Sequence, residues 1–227
     1  MDQKVSTAEA VFDCLYLVTV LGLSLVLLLD NRTFPVRMAG FMALILFCGD
    51  TFHLFPRILV ASGSKKSSLT YFMELGKQVS SVTMTIFYLF LWNIGLILFR
   101  YSAFPFYTII VYALALIRLI LCIMPQNNWN IKKTDDNLSD KKNDVSKIQW
   151  AIYRNLPFLL LVILVATFFY QNRFFIHALS FLWVAIILSF LFYIPVVLGA
   201  SKWPKLGILM IPKSLMYIWM ISMFLQV

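Results

Sequence analysis

Charge is what this chain is poorest in. Asp, Glu, Lys and Arg make up 13% of it, about half their share in an ordinary soluble domain. Acids are the scarcer sign, ten against 19 Lys and Arg. A chain so short of charge is excluded from the class of soluble globular domains. Histidine occurs twice, as His53 and His177, which is too few for a three-histidine zinc site. The three cysteines, Cys14, Cys48 and Cys122, lie inside apolar runs, where they pack as small apolar side chains rather than form a disulfide framework or a metal cluster. Neither metal nor cofactor is expected, and no nucleic-acid partner. Also missing is any span that alternates apolar and polar residues, as the strands of a membrane barrel must.

Apolar runs are what remain. Hydrophobic residues make up 61% of the sequence and the mean hydropathy is +0.85. Seven segments are long enough to cross a bilayer: 10–29, 38–60, 69–98, 103–124, 149–170, 174–199 and 204–225. The expected fold is therefore all-α, a polytopic integral membrane protein built as one bundle of seven transmembrane helices. The first span is expected to be a retained helix, because its apolar run is too long for a secretory signal and no small-residue cleavage site follows it. The third is overlong and is expected to project at its polar start, Thr70 to Gln78.

Lys4, Lys65, Lys66, Lys132, Lys133, Lys141, Lys142, Lys147, Lys202 and Lys205 fall on the side of the N-terminus and the even loops, against Arg32, Arg37, Arg100 and Arg173 on the other. That asymmetry predicts a cell-membrane protein with a cytoplasmic N-terminus and an external C-terminus. The hydrophilic insert at 125–148 reads as a mobile cytoplasmic loop.

Five cations remain inside spans: Arg57, Lys77, Arg118, Arg154 and Lys213. Each costs about 2.5 to 3.5 kcal/mol at a helix centre, so such groups face the bundle interior and mark function. Counted from the cytoplasmic ends at about 1.5 Å per residue, these five together with Asp50, Glu74 and Gln78 lie in one half of the membrane. Asp13, His53, Asn155 and Tyr193 belong to the same half. The other half offers only Asn93, Thr167 and His177 and reads as an apolar plug. In FCGDTFHLFPR, residues 47–57, Asp50, His53 and Arg57 fall within about 60° of one another on a helical wheel, so this stretch is expected to line a buried polar chamber. Pro56, Pro157, Pro195 and Pro212 sit close to those residues, and each is expected to free a helical carbonyl toward a hydrated cavity.

Five cations against Asp13, Asp50 and Glu74 leave an excess of about two positive charges, which an anion would complete. The expected ligand is a small anion or an anionic lipid headgroup, with membrane lipids as partners, held by Arg57, Glu74, Lys77, Gln78, Arg118, Arg154, Asn155, Tyr193 and Lys213. Asp50 and His53, one turn apart, form the candidate acid-base pair of a lipid-modifying enzyme. Lys213 is expected to contact Asp50 or Glu74. A transporter or solute-binding subunit for an anion is the alternative. A third reading is a sensor: a lysine deep in the seventh helix is similar to the Schiff-base lysine of the microbial rhodopsins, and that one feature implies retinal binding.

Overall fold

The computed structural model describes residues 7–30, 33–63, 66–100, 105–125, 137–199 and 203–227. Seven helices follow one another: α1 (Thr7–Leu29), α2 (Phe34–Ala61), α3 (Lys66–Leu98), α4 (Pro105–Ile123), α5 (Asn137–Gln171), α6 (Leu182–Gly199) and α7 (Met210–Met223). Each of the seven supplies most of a segment long and apolar enough to cross a membrane, with α3 and α5 running on past theirs at their N-terminal ends, and no strand occurs among the described residues. The protein is a seven-helix membrane bundle. Its outward faces are apolar, with Val18, Leu29, Ile109 and Phe174 among the many large hydrophobic side chains left uncovered. A bilayer covers such faces without the cost they would carry in water.

Neighbours in sequence are neighbours in space. Each helix packs against the next, α1 closes against α7, and α3 also reaches α5. Glycines set the closest crossings, as small residues do where membrane helices meet. A Cβ on Gly76 would stand 2.7 Å from His53 Cα and against the Phe52 carbonyl, and one on Gly49 would stand 2.6 Å from Thr83 Cβ. Thus α2 and α3 touch almost backbone to backbone at the level of Asp50 and His53. Reversals between helices use special conformations where needed. Gly63 after α2 has φ +101°, and Arg100 after α3 has φ +51°, a left-handed value that few residues other than glycine adopt.

Three expectations change. First, the insert at 125–148 is not a linker throughout, since α5 starts at Asn137; positions 126–136 lie outside the described residues, as do Lys4, Arg32, Lys65 and Lys202. A polar helix beyond the bilayer has no hydropathy signature, so the apolar window found only its inner part. Second, α6 is preceded by a turn and a 3₁₀ segment, His177–Leu179. Third, a 3₁₀ run, Pro204–Leu209, precedes α7. Pro212 therefore lies in the first turn of α7, where the backbone N–H has no α-helical acceptor to lose. Pro56, Pro157 and Pro195 lie inside helices that run on through them.

Candidate functional site

The polar residues sort into separate groups. At the α1–α2 crossing, Arg57 Nη2 donates to Glu9 Oε2 at 3.1 Å, and its Nη1 stands 3.9 Å from Asp13 Oδ2. Slightly deeper, Asp50 is 8% exposed. Tyr16 Oη donates to its Oδ2 at 2.6 Å and Ser80 Oγ to its Oδ1 at 3.1 Å. Both carboxylate oxygens are thus engaged by hydroxyls from α1 and α3. No hydrogen bond joins Asp50 to His53 among the described residues.

A face 60° wide on α2 straddles the crevices toward two neighbours. Arg57 therefore meets α1 while His53 meets α3, although the wheel groups them. Glu9 and Tyr16 were missed by the sequence reasoning, yet Glu9, Asp13 and Tyr16 recur at helical spacing on one face of α1 and could have been found that way. Ser80 was missed for a different reason: it lies one turn from Lys77 and was hidden by the charged residues around it.

A cavity of about 440 Å³ opens on the other side of Ser80. Five helices build it. α2 supplies His53, α3 supplies Lys77, Ser80, Ser81 and Met84, and α5 supplies Arg154. Tyr193, Val196 and Val197 of α6 and Lys213 of α7 complete the wall, with Met210 at the start of α7. All these residues belong to the end of the bundle that holds the lysine-rich connections. His53, Lys77, Arg154, Tyr193 and Lys213 are thereby brought together, and Arg57, Glu74, Gln78, Arg118, Asn155 and Asp50 are not in the lining.

Lys213 is 5% exposed and meets neither Asp50 nor Glu74 within ion-pair distance among the described residues. Its Nζ lies 3.8 Å from Met84 Sδ, and 4.9 and 5.5 Å from the ring centres of Tyr193 and Tyr217. Glu74 instead pairs with Lys77 at 2.7 Å, one turn away on α3 and partly exposed. Hydroxyls have taken the coordination that Lys213 was expected to supply to Asp50. Sulfur and aromatic faces surround the ammonium in exchange, which is a weaker compensation than a carboxylate.

The remaining predicted residues tie helices together around the cavity. Gln78 Nε2 reaches the Cys122 carbonyl on α4 at 3.4 Å. Asn155 donates to the Ala151 carbonyl and accepts from Tyr193 Oη at 3.1 Å, which orients that phenol at the cavity wall. Arg118 is 1% exposed, and its guanidinium carbon stands 3.1 Å from the ring centre of Phe158. Its Nε and Nη1 have no hydrogen-bond partner among the described residues. Arg118 is thus a buried cation between α4 and α5, behind the lining and not part of it.

Beyond Lys213 the bundle is closed by rings. Phe87 meets Tyr217 at 5.4 Å and Tyr88 meets Phe158 at 5.2 Å between centroids, and Trp92, Phe99, Phe168 and Phe169 continue the packing toward the other end. That half is not wholly solid, since a cavity of about 260 Å³ adjoins Trp92, Thr167 and Gln171. Asn93 is satisfied by Tyr112 at 2.8 Å. No group of three or more His, Cys, Asp or Glu that could hold a metal ion occurs among the described residues.

No family model, curated protein or solved structure matches this chain.

Proposed function

We propose that this membrane protein binds the anionic head of an amphiphile, phosphate or carboxylate, in the cavity between α2, α3, α5, α6 and α7. One observation carries the reading: Lys77, Arg154 and Lys213 line the cavity, and among the described residues no carboxylate does. Each acid expected in a shared chamber is engaged elsewhere, Asp13 toward Arg57, Asp50 by two hydroxyls and Glu74 by Lys77. Lys77 is partly exposed and already answered by Glu74, so the cost falls on Lys213, a buried ammonium with no carboxylate within ion-pair distance among the described residues, and such a charge is costly until an anion enters. The Ser80, Ser81 and Tyr193 hydroxyls already donate to Asp50, the Lys77 carbonyl and Asn155, so the cations are left to hold the head, while Met84, Val196, Val197 and Met210 offer apolar wall to the carbon next to it.

The aromatic closure beyond Lys213 favours a site with access from one side over a through-path, and so a binding or lipid-modifying role over transport. A catalytic role would narrow from the Asp50 and His53 pair to His53, which lines the cavity among the cations. The test is thermal. Butyl phosphate should raise the melting temperature of the full chain in a non-ionic detergent, as a ligand of the folded state must, and Arg154→Gln and Lys213→Gln should each shrink the shift. Equal shifts in the wild type and both variants would refute the site; so would the absence of a shift with the wild type.

A further inference from the structure

The cationic cavity has apolar neighbours along one seam of the bundle. Tyr193 and Val197 line it and also line a smaller apolar space of about 130 Å³. Leu159, Phe190 and Ile194 of that space in turn line a groove of about 560 Å³ between α5 and α6. Cavity, antechamber and groove thus share walls in sequence. The groove is apolar along its length, with Ile163 and Ala166 of α5 facing Ile187 of α6, and ends at Tyr170 and Trp183, whose rings meet at 5.0 Å. From Asn155 at the antechamber to Tyr170 is about 22 Å at about 1.5 Å per residue, a length that suits an extended long-chain acyl group.

We infer that the ligand is a long-chain anionic lipid whose head sits among Lys77, Arg154 and Lys213 and whose acyl chain lies in the α5–α6 groove, reached sideways from the bilayer. The inference rests on the anion-binding reading above and adds the chain and the route. Charge complementarity selects the head, and the shared walls tie the head site to the chain site. A free anion would need no groove, and an ordinary annular lipid would have no reason to leave its head beside Lys213, which is buried. Both seam helices also carry a proline at the level of the cavity, Pro157 in α5 and Pro195 in α6. Each removes one backbone hydrogen bond from its helix and eases the local bend that would admit a headgroup between the helices.

The experiment uses hexadecyl phosphate carrying a photoactivatable diazirine in mid-chain, illuminated with the purified full chain in a non-ionic detergent, with adducts mapped by mass spectrometry. Adducts should concentrate on groove residues of α5 and α6 and fall several-fold under excess unlabelled hexadecyl phosphate. They should fall likewise in Lys213→Gln, which weakens the head site, and in Ala166→Phe and Ile187→Trp, which fill the groove. Ile187 is 39% exposed, so its larger replacement can be accommodated even if the ring at position 166 disturbs folding. Adducts spread evenly over the outward faces of α1 and α4 as well, and indifferent to competitor and variants, would overturn the inference. If butyl phosphate still raises the melting temperature of the wild type in that case, the groove alone is refuted. If it does not, the cationic site falls with it.

Discussion

Asp50 and Lys213 are both more than nine-tenths buried, yet they are held in opposite ways. Asp50 has a hydroxyl on each oxygen, so Asp50→Leu would leave Tyr16 and Ser80 as buried donors without acceptors, at about 1 to 3 kcal/mol each. Lys213 has only a sulfur and two ring faces near its ammonium, and Lys213→Met leaves no comparable group orphaned. An ammonium held in the bundle without a carboxylate carries its desolvation cost uncompensated, and the methionine side chain does not. Asp50→Leu should therefore lower the melting temperature of the unliganded protein by several degrees, and Lys213→Met should leave it unchanged or raise it. Equal, large losses would make Lys213 a structural residue and remove the motive for an anion. The same contrast shows what single residues disclose in sequence. That five cations sit inside spans was legible; which of them found a carboxylate was not, because Arg57 and Lys77 did so through Glu9, Asp13 and Glu74 while Lys213 did not.

Between helices, the α2–α3 crossing decides where the site residues stand. Gly76 lies against the backbone of Phe52 and His53, and no flexible side-chain end is available to yield. Gly76→Leu would push α2 and α3 apart, separating Ser80 from Asp50 and widening the wall on which His53 and Lys77 stand. The expected result is a large loss of thermal stability and of the butyl phosphate shift together; retention of both would show that the close approach is dispensable. Hydropathy placed the seven apolar segments because burial in lipid demands long apolar runs. It could not place the polar start of α5 or the 3₁₀ entrance to α7, since neither changes the apolar content of its segment. Proline gave a clear signal in α5 and α6 and a misleading one at Pro212, whose effect depends on the register of the first turn.

Across the whole molecule, the cationic cavity, the prolines inside α2, α5 and α6 and the lysine-rich connections share one end, and aromatic packing around a smaller cavity makes up the other. Helical wheels and depth placed the polar residues in one half of the bilayer, but they could not divide that half into a pair at α1–α2, a carboxylate held by hydroxyls and a cationic cavity, because the division depends on which neighbour each face meets. Orientation follows from the excess of lysines at the cavity end, which predicts that end to be cytoplasmic. The cavity would then lie at the leaflet richest in anionic lipids, where the surface potential attracts positive groups. Seven crossings would put the two termini on opposite sides. Single cysteines introduced into the Lys132 to Lys147 stretch should accordingly resist a membrane-impermeant thiol reagent in intact cells until the membrane is opened, while a tag after Val227 should be accessible from outside without permeabilisation. Labelling of both from outside would break the seven-span count. The loop outside and the tag inside would keep the bundle but turn the cavity to the outer leaflet, so that its lipid would have to come from there.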